Sequence, residues 1–222
     1  DRPVSIAMAS LVDRHSDASL VLPVHALGNV YHSAGYNYST TDEHFVVLAT
    51  NDATTVTITP YGLTSTRRPP RVPFTVTLQR GECYMVRSGI TGAFGGLTGS
   101  SIEADKPVAV FGGALSGWIP ENSLPNFGFL NHHTEQLPPD DFLGREFMAV
   151  PFLSRRNGDT YKVVATADST DVTVGTDAPA RLAQRGDWME FQRTDAAVIT
   201  ATKPVSVAQF ANSAQWEDPS NE

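Results

Sequence analysis

An internal repeat is the sequence feature that most constrains the fold. Three blocks of residues recur in the same order in the two halves of the chain, and the spacing between blocks shortens in the second half. Loop deletions between equivalent strands produce this pattern, so we predict two copies of one folding unit. The matched blocks are 45–58 (FVVLATNDATTVTI) with 161–174 (YKVVATADSTDVTV), 79–82 (QRGE) with 184–187 (QRGD), and 102–110 (IEADKPVAV) with 199–207 (ITATKPVSV).

One block contains Arg185-Gly186-Asp187, the tripeptide that integrins recognise on some adhesion proteins. Its counterpart in the first copy is Arg80-Gly81-Glu82. In both copies the glycine lies between two strand-like runs, which is typical of a hairpin turn. A turn accounts for both copies, whereas integrin binding accounts for only one. We therefore interpret the tripeptide as part of a turn.

The local patterns predict strands throughout the chain. Segments 54–59 (TTVTIT) and 170–175 (TDVTVG) alternate apolar and polar residues, and other runs are rich in β-branched and aromatic residues. The Lys-Pro pairs at 106–107 and 203–204 are read as turns. We predict an all-β fold of two tandem homologous antiparallel β-sandwich-like units packed together. A single core shared by both units remains an alternative.

The same alternation identifies the side chains that face the core. The predicted inward-facing residues are Val47, Val56, Ile58, Val76, Leu78, Val86, Ile102, Val108 and Val110 in the first copy, and Val163, Val172, Val174, Leu182, Phe191, Ile199, Val205 and Val207 in the second.

The repeat divides the chain into five predicted parts. These are an N-terminal lead-in (1–21), a first β unit (22–111), an inter-unit connection (112–136), a second β unit (137–213) and a C-terminal tail (214–222). Trp216 follows the last block much as Trp118 follows its counterpart, at the point where the connection opens. We therefore expect the natural polypeptide to continue into further repeats.

Charge and apolar content exclude several classes of partner. The net charge is −8, with 24 acidic and 16 basic residues, and no basic stripe is present. Phosphate backbones need clustered cations, so nucleic acid is not an expected partner. No apolar run has the length of about 18 residues that a membrane-spanning helix needs. The single cysteine, Cys83, is read as a small buried hydrophobic side chain.

The predicted connection is rich in Gly, Pro and Asn, and it carries Trp118, Phe127 and Phe129. Disordered segments avoid aromatic residues, so we expect an ordered connection. These aromatic side chains are candidates for a ligand-binding surface. The alternative is that the connection packs the two units together.

A His/carboxylate cluster follows in the same stretch, at His132, His133 and Glu135. A metal ion would need two or three of these side chains and a further ligand such as Asp140. Imidazoles hydrogen-bonded within an interface are the more common arrangement, and we predict no metal and no cofactor. The ATxD-like turns at Asp52 and Asp168 are read as Asx turns, because no calcium-loop series surrounds them.

The ordered blocks resemble the IgGFc-binding family. The resemblance is carried by F-x-V-x-A-T-x-D-x-T-x-V-x-I from Phe45, by LTGSSIEADKPVAVFGG (97–113), and by NHHTEQLPPDDFLGREF (131–147). It extends from about Leu22 to the end of the chain. Asn131 stands where the family often has Asp.

The resemblance implies an extracellular recognition or adhesion module that is not an enzyme. Carried over to the family motif, it adds Gln136 to His132 and Glu135 as candidate binding residues. We expect a secreted or cell-surface protein, microbial in type, that binds a protein or a glycan. The alternatives are a structural spacer repeat in a surface fibre and an enzyme acting on polysaccharide, although no catalytic motif is present.

Overall fold

The structure, a computed structural model, describes residues 4–12, 15–36, 43–89, 96–117, 119–120, 131–153, 155–213 and 216. The described residues form two compact units, one containing strands β1–β9 and the other β10–β15. Short 3-10 turns lie at Val24–Ala26 and Asp140–Phe142. The strands of the first unit are β1 (Ile6–Val12), β2 (His15–Val21), β3 (Gly28–His32), β4 (Glu43–Ala49), β5 (Thr54–Thr59), β6 (Phe74–Leu78), β7 (Cys83–Arg87), β8 (Ser101–Gly117) and β9 (Asn131–Gln136). Those of the second are β10 (Gly144–Ala149), β11 (Asp159–Ala165), β12 (Thr170–Val174), β13 (Ala180–Leu182), β14 (Trp188–Arg193) and β15 (Ala197–Ala211).

The two units have the same strand order. In the first the order is β6-β5-β8-β4-β7, with β3 and β9 also paired to β8, and a separate hairpin is formed by β1 and β2. In the second it is β13-β12-β15-β11-β14, with β10 also paired to β15. Every ladder is antiparallel. The predicted all-β, two-unit antiparallel fold is confirmed.

One long strand organises each unit. The first part of β8 (101–104) pairs with β3 and β5, and a later part (108–114) pairs with β4. The residues between, including Pro107, are in none of these ladders, as expected for a residue that has no N–H to donate. β15 is interrupted in the same way at Pro204. The prediction of chain-reversing turns at the two Lys-Pro pairs is therefore wrong, because each pair lies inside a continuous strand.

The lysine of each Lys-Pro pair donates a hydrogen bond from the unpaired part of the long strand to the turn that contains Asp52 or Asp168. Lys106 Nζ donates to the carbonyl oxygen of Asp52 at 2.5 Å, and Lys203 Nζ donates to that of Asp168 at 2.6 Å. The Asp52 carboxylate in turn accepts a hydrogen bond from the backbone N–H of Arg80 at 3.0 Å. The Asp168 carboxylate accepts the backbone N–H of Arg185 in the same way, at 2.8 Å. Both carboxylates therefore bond to the opposite hairpin turn, whereas an Asx turn would bond to the residues that follow.

Each unit has its own apolar core. All the residues predicted to face inward are buried except Val76, Phe191 and Val207, which are partly buried and pack against the cores. The prediction for Cys83 is wrong, because its side chain is exposed. It lies on the outward face of β7, where Tyr84 and Val86 take the inward positions.

The Arg-Gly-Asp tripeptide is part of a hairpin turn, as predicted. Gly186 has φ +82° and its N–H donates to Ala165 O at 2.8 Å, while the Asp187 carboxylate accepts the N–H of Gln184 at 2.8 Å. Gly81 in the first unit has φ +84° and makes the equivalent bond to Ala49.

The predicted connection begins and ends in strands. Residues 112–117 belong to β8 and residues 131–136 form β9, which pairs back onto β8. In the part of the chain that the structure describes, no helix has the length and apolarity to cross a bilayer.

Replacing Gly81 by alanine is expected to destabilise the protein by about 1–2 kcal/mol, the cost of a left-handed conformation in an L-residue. An added Cβ meets no atom within 4 Å, so the backbone conformation is the only penalty. Gly144→Ala in β10 is the matched control, since its φ is not positive and the nearest atom to an added Cβ is at 3.6 Å. Urea denaturation of the two variants measures the difference, and equal midpoints would contradict the left-handed turn.

Candidate functional site

The four described residues of the predicted binding surface lie on β9. Gln136 is buried, and its Oε1 accepts the backbone N–H of Leu22 at 2.7 Å. The backbone N–H of Thr134 donates to Asp17 Oδ2 at 2.5 Å. These two bonds join β9 to the β1–β2 hairpin, so the Gln136 amide has a structural role. Trp118, Phe127 and Phe129 lie outside the described residues.

The two histidines of β9 project to opposite faces of the strand, as neighbouring strand residues do. His132 Nε2 lies 3.3 Å from Thr134 Oγ1, while its Nδ1 is buried and has no hydrogen-bond partner among the described residues. His133 is half-buried and Glu135 is exposed. Among the described residues, no group of three or more His, Cys, Asp and Glu side chains could hold a metal ion.

Glu135 lies in an environment that disfavours its charge. Partial desolvation raises the pKa of its carboxyl, and the negative charge of Asp17 raises it further. A hydrogen bond from the backbone of Gln136 acts in the opposite direction. The carboxyl of Glu135 therefore takes up a proton at a higher pH than an ordinary glutamate does.

A pocket of about 360 Å³ lies in the second unit. This volume is at the lower end of the range for small-molecule sites, about 300–1,000 Å³. The pocket lies where β11 begins and β14 ends, beside the turn into β15. Its lining residues are Asn157, Gln192, Arg193, Thr194, Asp195 and Trp216.

Local hydrogen bonds fix Trp216 at the pocket. Its carbonyl oxygen accepts a hydrogen bond from Asn157 Nδ2, and its N–H donates to Ser213 O at 3.0 Å. Ser213 is itself held by Ile119, whose N–H donates to Ser213 Oγ at 2.9 Å. The indole Nε1 is buried and has no hydrogen-bond partner in the described part of the chain.

Arg193 supplies the positive charge of the pocket and has two acidic neighbours. Its Nη2 is 3.0 Å from Asp195 Oδ2 and its Nη1 is 3.6 Å from Asp177 Oδ2. Its Nε is buried without a hydrogen-bond partner among the residues described. Two carboxylates against one guanidinium disfavour an anionic ligand. The amide, hydroxyl and carboxylate side chains of the lining suit a neutral ligand with several hydroxyl groups.

A shorter connection distinguishes this end of the second unit from that of the first. In the first unit, residues 88–100 join β7 to β8 and include two donors to the buried Glu43 carboxylate: Leu97 N at 2.6 Å and Thr98 Oγ1 at 2.9 Å. In the second unit only residues 194–196 join β14 to β15, and the pocket lies against them.

Asp159 takes the position of Glu43 in the second unit, because Glu43 pairs with Ala114 and Asp159 pairs with Ala211 in matching ladders. Its Oδ2 accepts Phe152 N at 2.6 Å and Gln209 Nε2 at 2.8 Å. Its Oδ1 is buried and has no partner within the described ranges. Both units therefore have a carboxylate at this position. In the first unit the β7–β8 connection donates to it, whereas in the second unit the donors are Phe152 and Gln209.

The pocket residues were not among those predicted from the sequence. Arg193, Thr194 and Asp195 lie in the short β14–β15 connection and carry no motif. The available signal was the shortening of the repeat spacing between the QRGD block and the ITATKPVSV block, which marks a deletion at this point. Trp216 was recognised in the sequence only as a boundary marker.

Comparison with known proteins identifies the relationship. The model of a family described as IgGFc binding protein matches residues 17–222, which include most of the first unit and all of the second. No curated protein and no solved structure matches the chain. The family resemblance predicted from the ordered blocks is confirmed.

Glu135→Gln is expected to stabilise the protein at neutral pH. A folded-state pKa above the ordinary value means that ionised Glu135 costs stability, and this cost grows as pH rises through the ordinary pKa of about 4.3 towards the raised value. The gain should therefore disappear below the ordinary pKa, where wild-type Glu135 is protonated. Urea denaturation at pH 7 and pH 3.5 measures it. Glu146→Gln removes the same charge from β10 of the second unit as a control, and an equal gain there would contradict the assignment.

Proposed function

Because the chain belongs to the IgGFc-binding family, we propose that it is a non-enzymatic recognition module of a secreted or cell-surface protein. The family description names a binding protein. Loops held on a rigid β scaffold are common binding sites, and both units supply such a scaffold. The expected partner is an extracellular protein or glycan.

The pocket at Trp216 is the observation that carries the proposal. It places an indole ring beside side-chain amides, one guanidinium and one carboxylate. An indole offers a wide apolar ring face, and the surrounding side chains can donate to or accept from hydroxyl groups. A sugar residue of a glycan has this combination of apolar C–H surface and hydroxyl groups, so we propose a glycan for this pocket.

The face of β9 that carries His133 and Glu135 is a second proposed site, and His132, grouped with them in the sequence, lies on the opposite face of the strand. Gln136 was grouped with them in the sequence, but its bond to Leu22 favours an internal role. The same bond supports the alternative function of a structural spacer, because the buried Gln136 side chain holds the segment that follows the β1–β2 hairpin.

We also propose that the two units arose by duplication and that further repeats occur in the natural polypeptide. The shared strand order supports this, as do matching residue pairs such as Tyr31 with Ile102 and Phe147 with Ile199.

Trp216→Ala is expected to reduce glycan binding by about 30-fold or more, since truncating a central aromatic contact costs about 2 kcal/mol or more. The measurement is a glycan and matrix-protein array followed by titration of each hit. Phe142→Ala removes an aromatic side chain, 64% exposed and outside the pocket lining, as the matched control.

The outcomes separate the proposed sites. Unchanged glycan binding by Trp216→Ala overturns the pocket, and loss of binding in His133→Ala with Glu135→Gln assigns the ligand to β9 instead. Failure of the wild type to bind any array component supports the spacer. Thermal unfolding of each variant shows whether a loss of binding reflects a loss of folding.

A further inference from the structure

An apolar face is exposed beside β10 in the second unit. Met148 is 64% exposed, and Val150 and Phe152 are each 53% exposed. Val198, which pairs with Met148 across the β10–β15 ladder, is 37% exposed. We name these four residues the β10 face. Met148 and Val198 are cross-strand neighbours, and Val150 and Phe152 follow Met148 at alternate positions along the chain. Clustered exposed apolar residues mark an interaction site more often than scattered single residues do.

In the first unit the residues at the positions equivalent to the β10 face are buried. His32 pairs with Ser101 as Met148 pairs with Val198, and both ladders shift register at the same place. By the same count along the chain, Ala34 and Tyr36 correspond to Val150 and Phe152. The exposures of His32, Ala34 and Tyr36 are 2%, 9% and 1%.

In the first unit β9 and the residues that follow it, 131–140, pass over this position at His32, and we name residues 131–140 the cover segment. Leu137 N donates to Val110 O at 2.8 Å. Pro139 lies so close to Gly28 that an added Cβ would be 2.5 Å from it. Asp140 Oδ2 is 2.9 Å from His32 Nδ1. The segment thus pairs with the edge of β8 and then crosses β3.

In the second unit β15 offers the corresponding edge. It pairs with β11 from Val205 to Ala211, while its ladder with β10 ends at Val205. Beyond Val205 on the β10 side, the described residues supply no second strand. Val207 and Ala208 stand at the positions of Val110 and Phe111, to which the cover segment bonds.

We propose that this edge and the β10 face form a docking site for an extended segment of a partner polypeptide. The segment adds a strand to β15, as in β-augmentation, and then lays an apolar, proline-containing stretch on the β10 face. The described part of this edge carries no second ladder beyond Val205, and an unpaired strand edge is a template for such pairing. The proposal rests on the comparison of the two units and is independent of the pocket at Trp216.

Two substitutions between the units define what the partner segment must be. Met148 replaces His32, so an apolar side chain is needed where the cover segment has Asp140. Phe210 replaces Gly113, at which an added Cβ would be 2.3 Å from His133 O. The partner strand therefore pairs with Val207–Gln209 only. Unlike β9, it does not continue alongside the residue at the position of Gly113, which is Phe210 here.

The probe is a fluorescein-labelled peptide of residues 131–142 that carries Asp140→Leu, titrated into the whole chain by fluorescence anisotropy. We expect saturable binding that weakens at least tenfold when Met148→Glu is introduced into the chain. Met85→Glu is the matched control, because Met85 is an exposed methionine (54%) on a strand of the first unit. A peptide that also carries Leu137→Asp should bind at least tenfold more weakly.

Equal binding to the wild type and to Met148→Glu would overturn the proposal, as would no binding at millimolar peptide. Sedimentation velocity of the chain without peptide is a second measurement.

Self-association that Met148→Glu abolishes would assign the β10 face to a second copy of this chain and would overturn the partner-segment proposal. A monomer that binds the peptide supports it. Because the pocket is not altered in any of these variants, failure here leaves the glycan proposal intact.

Discussion

The break in each long strand at a Lys-Pro pair is the feature on which each unit depends. A proline has no N–H to donate, so the ladders of β8 end on one side of Pro107 and resume on the other. The strand pairs with β5 before the break and with β4 after it, while β3 spans the break by pairing with residues 101–103 and with Val108. Thr50 Oγ1 donates to Pro107 O at 2.6 Å, and Thr166 Oγ1 donates to Pro204 O at 2.7 Å. These bonds explain why the A-T-x-D block and the K-P block recur together, since each is the hydrogen-bonding partner of the other.

Much of the architecture was accessible from the sequence, because alternation and repetition both report backbone geometry. Strict alternation in 54–59 and 170–175 marks strands with one buried face, and the core positions followed from it. The failures have physical reasons. Lys-Pro signals a break in hydrogen bonding, which a turn and a bent strand share. Cys83 is apolar by type, but the phase of β7 turns it outward. The pocket joins residues far apart in the chain, at Asn157, Asp195 and Trp216, and no local pattern brings them together.

Differences between the units lie where the strands end, whereas the ladders themselves are shared. The first unit covers Glu43 with the 88–100 connection and covers β3 with the segment after β9. The second unit has the counterparts of β3–β8 with a shorter connection, and its described residues include a pocket and exposed apolar side chains. The shorter connection leaves the core of the second unit intact, because core side chains such as Val163 and Ile199 remain fully buried.

The matching ladders make each unit an internal reference for the other. Amides at paired positions, such as those of Val47 and Val163, occupy the same place in the same ladder and experience one solvent, one temperature and one sample. A difference in their hydrogen-exchange protection reports what surrounds each sheet, with the intrinsic geometry of the strand cancelled. The comparison therefore separates the contribution of a loop to the rigidity of a sheet from the contribution of the strands.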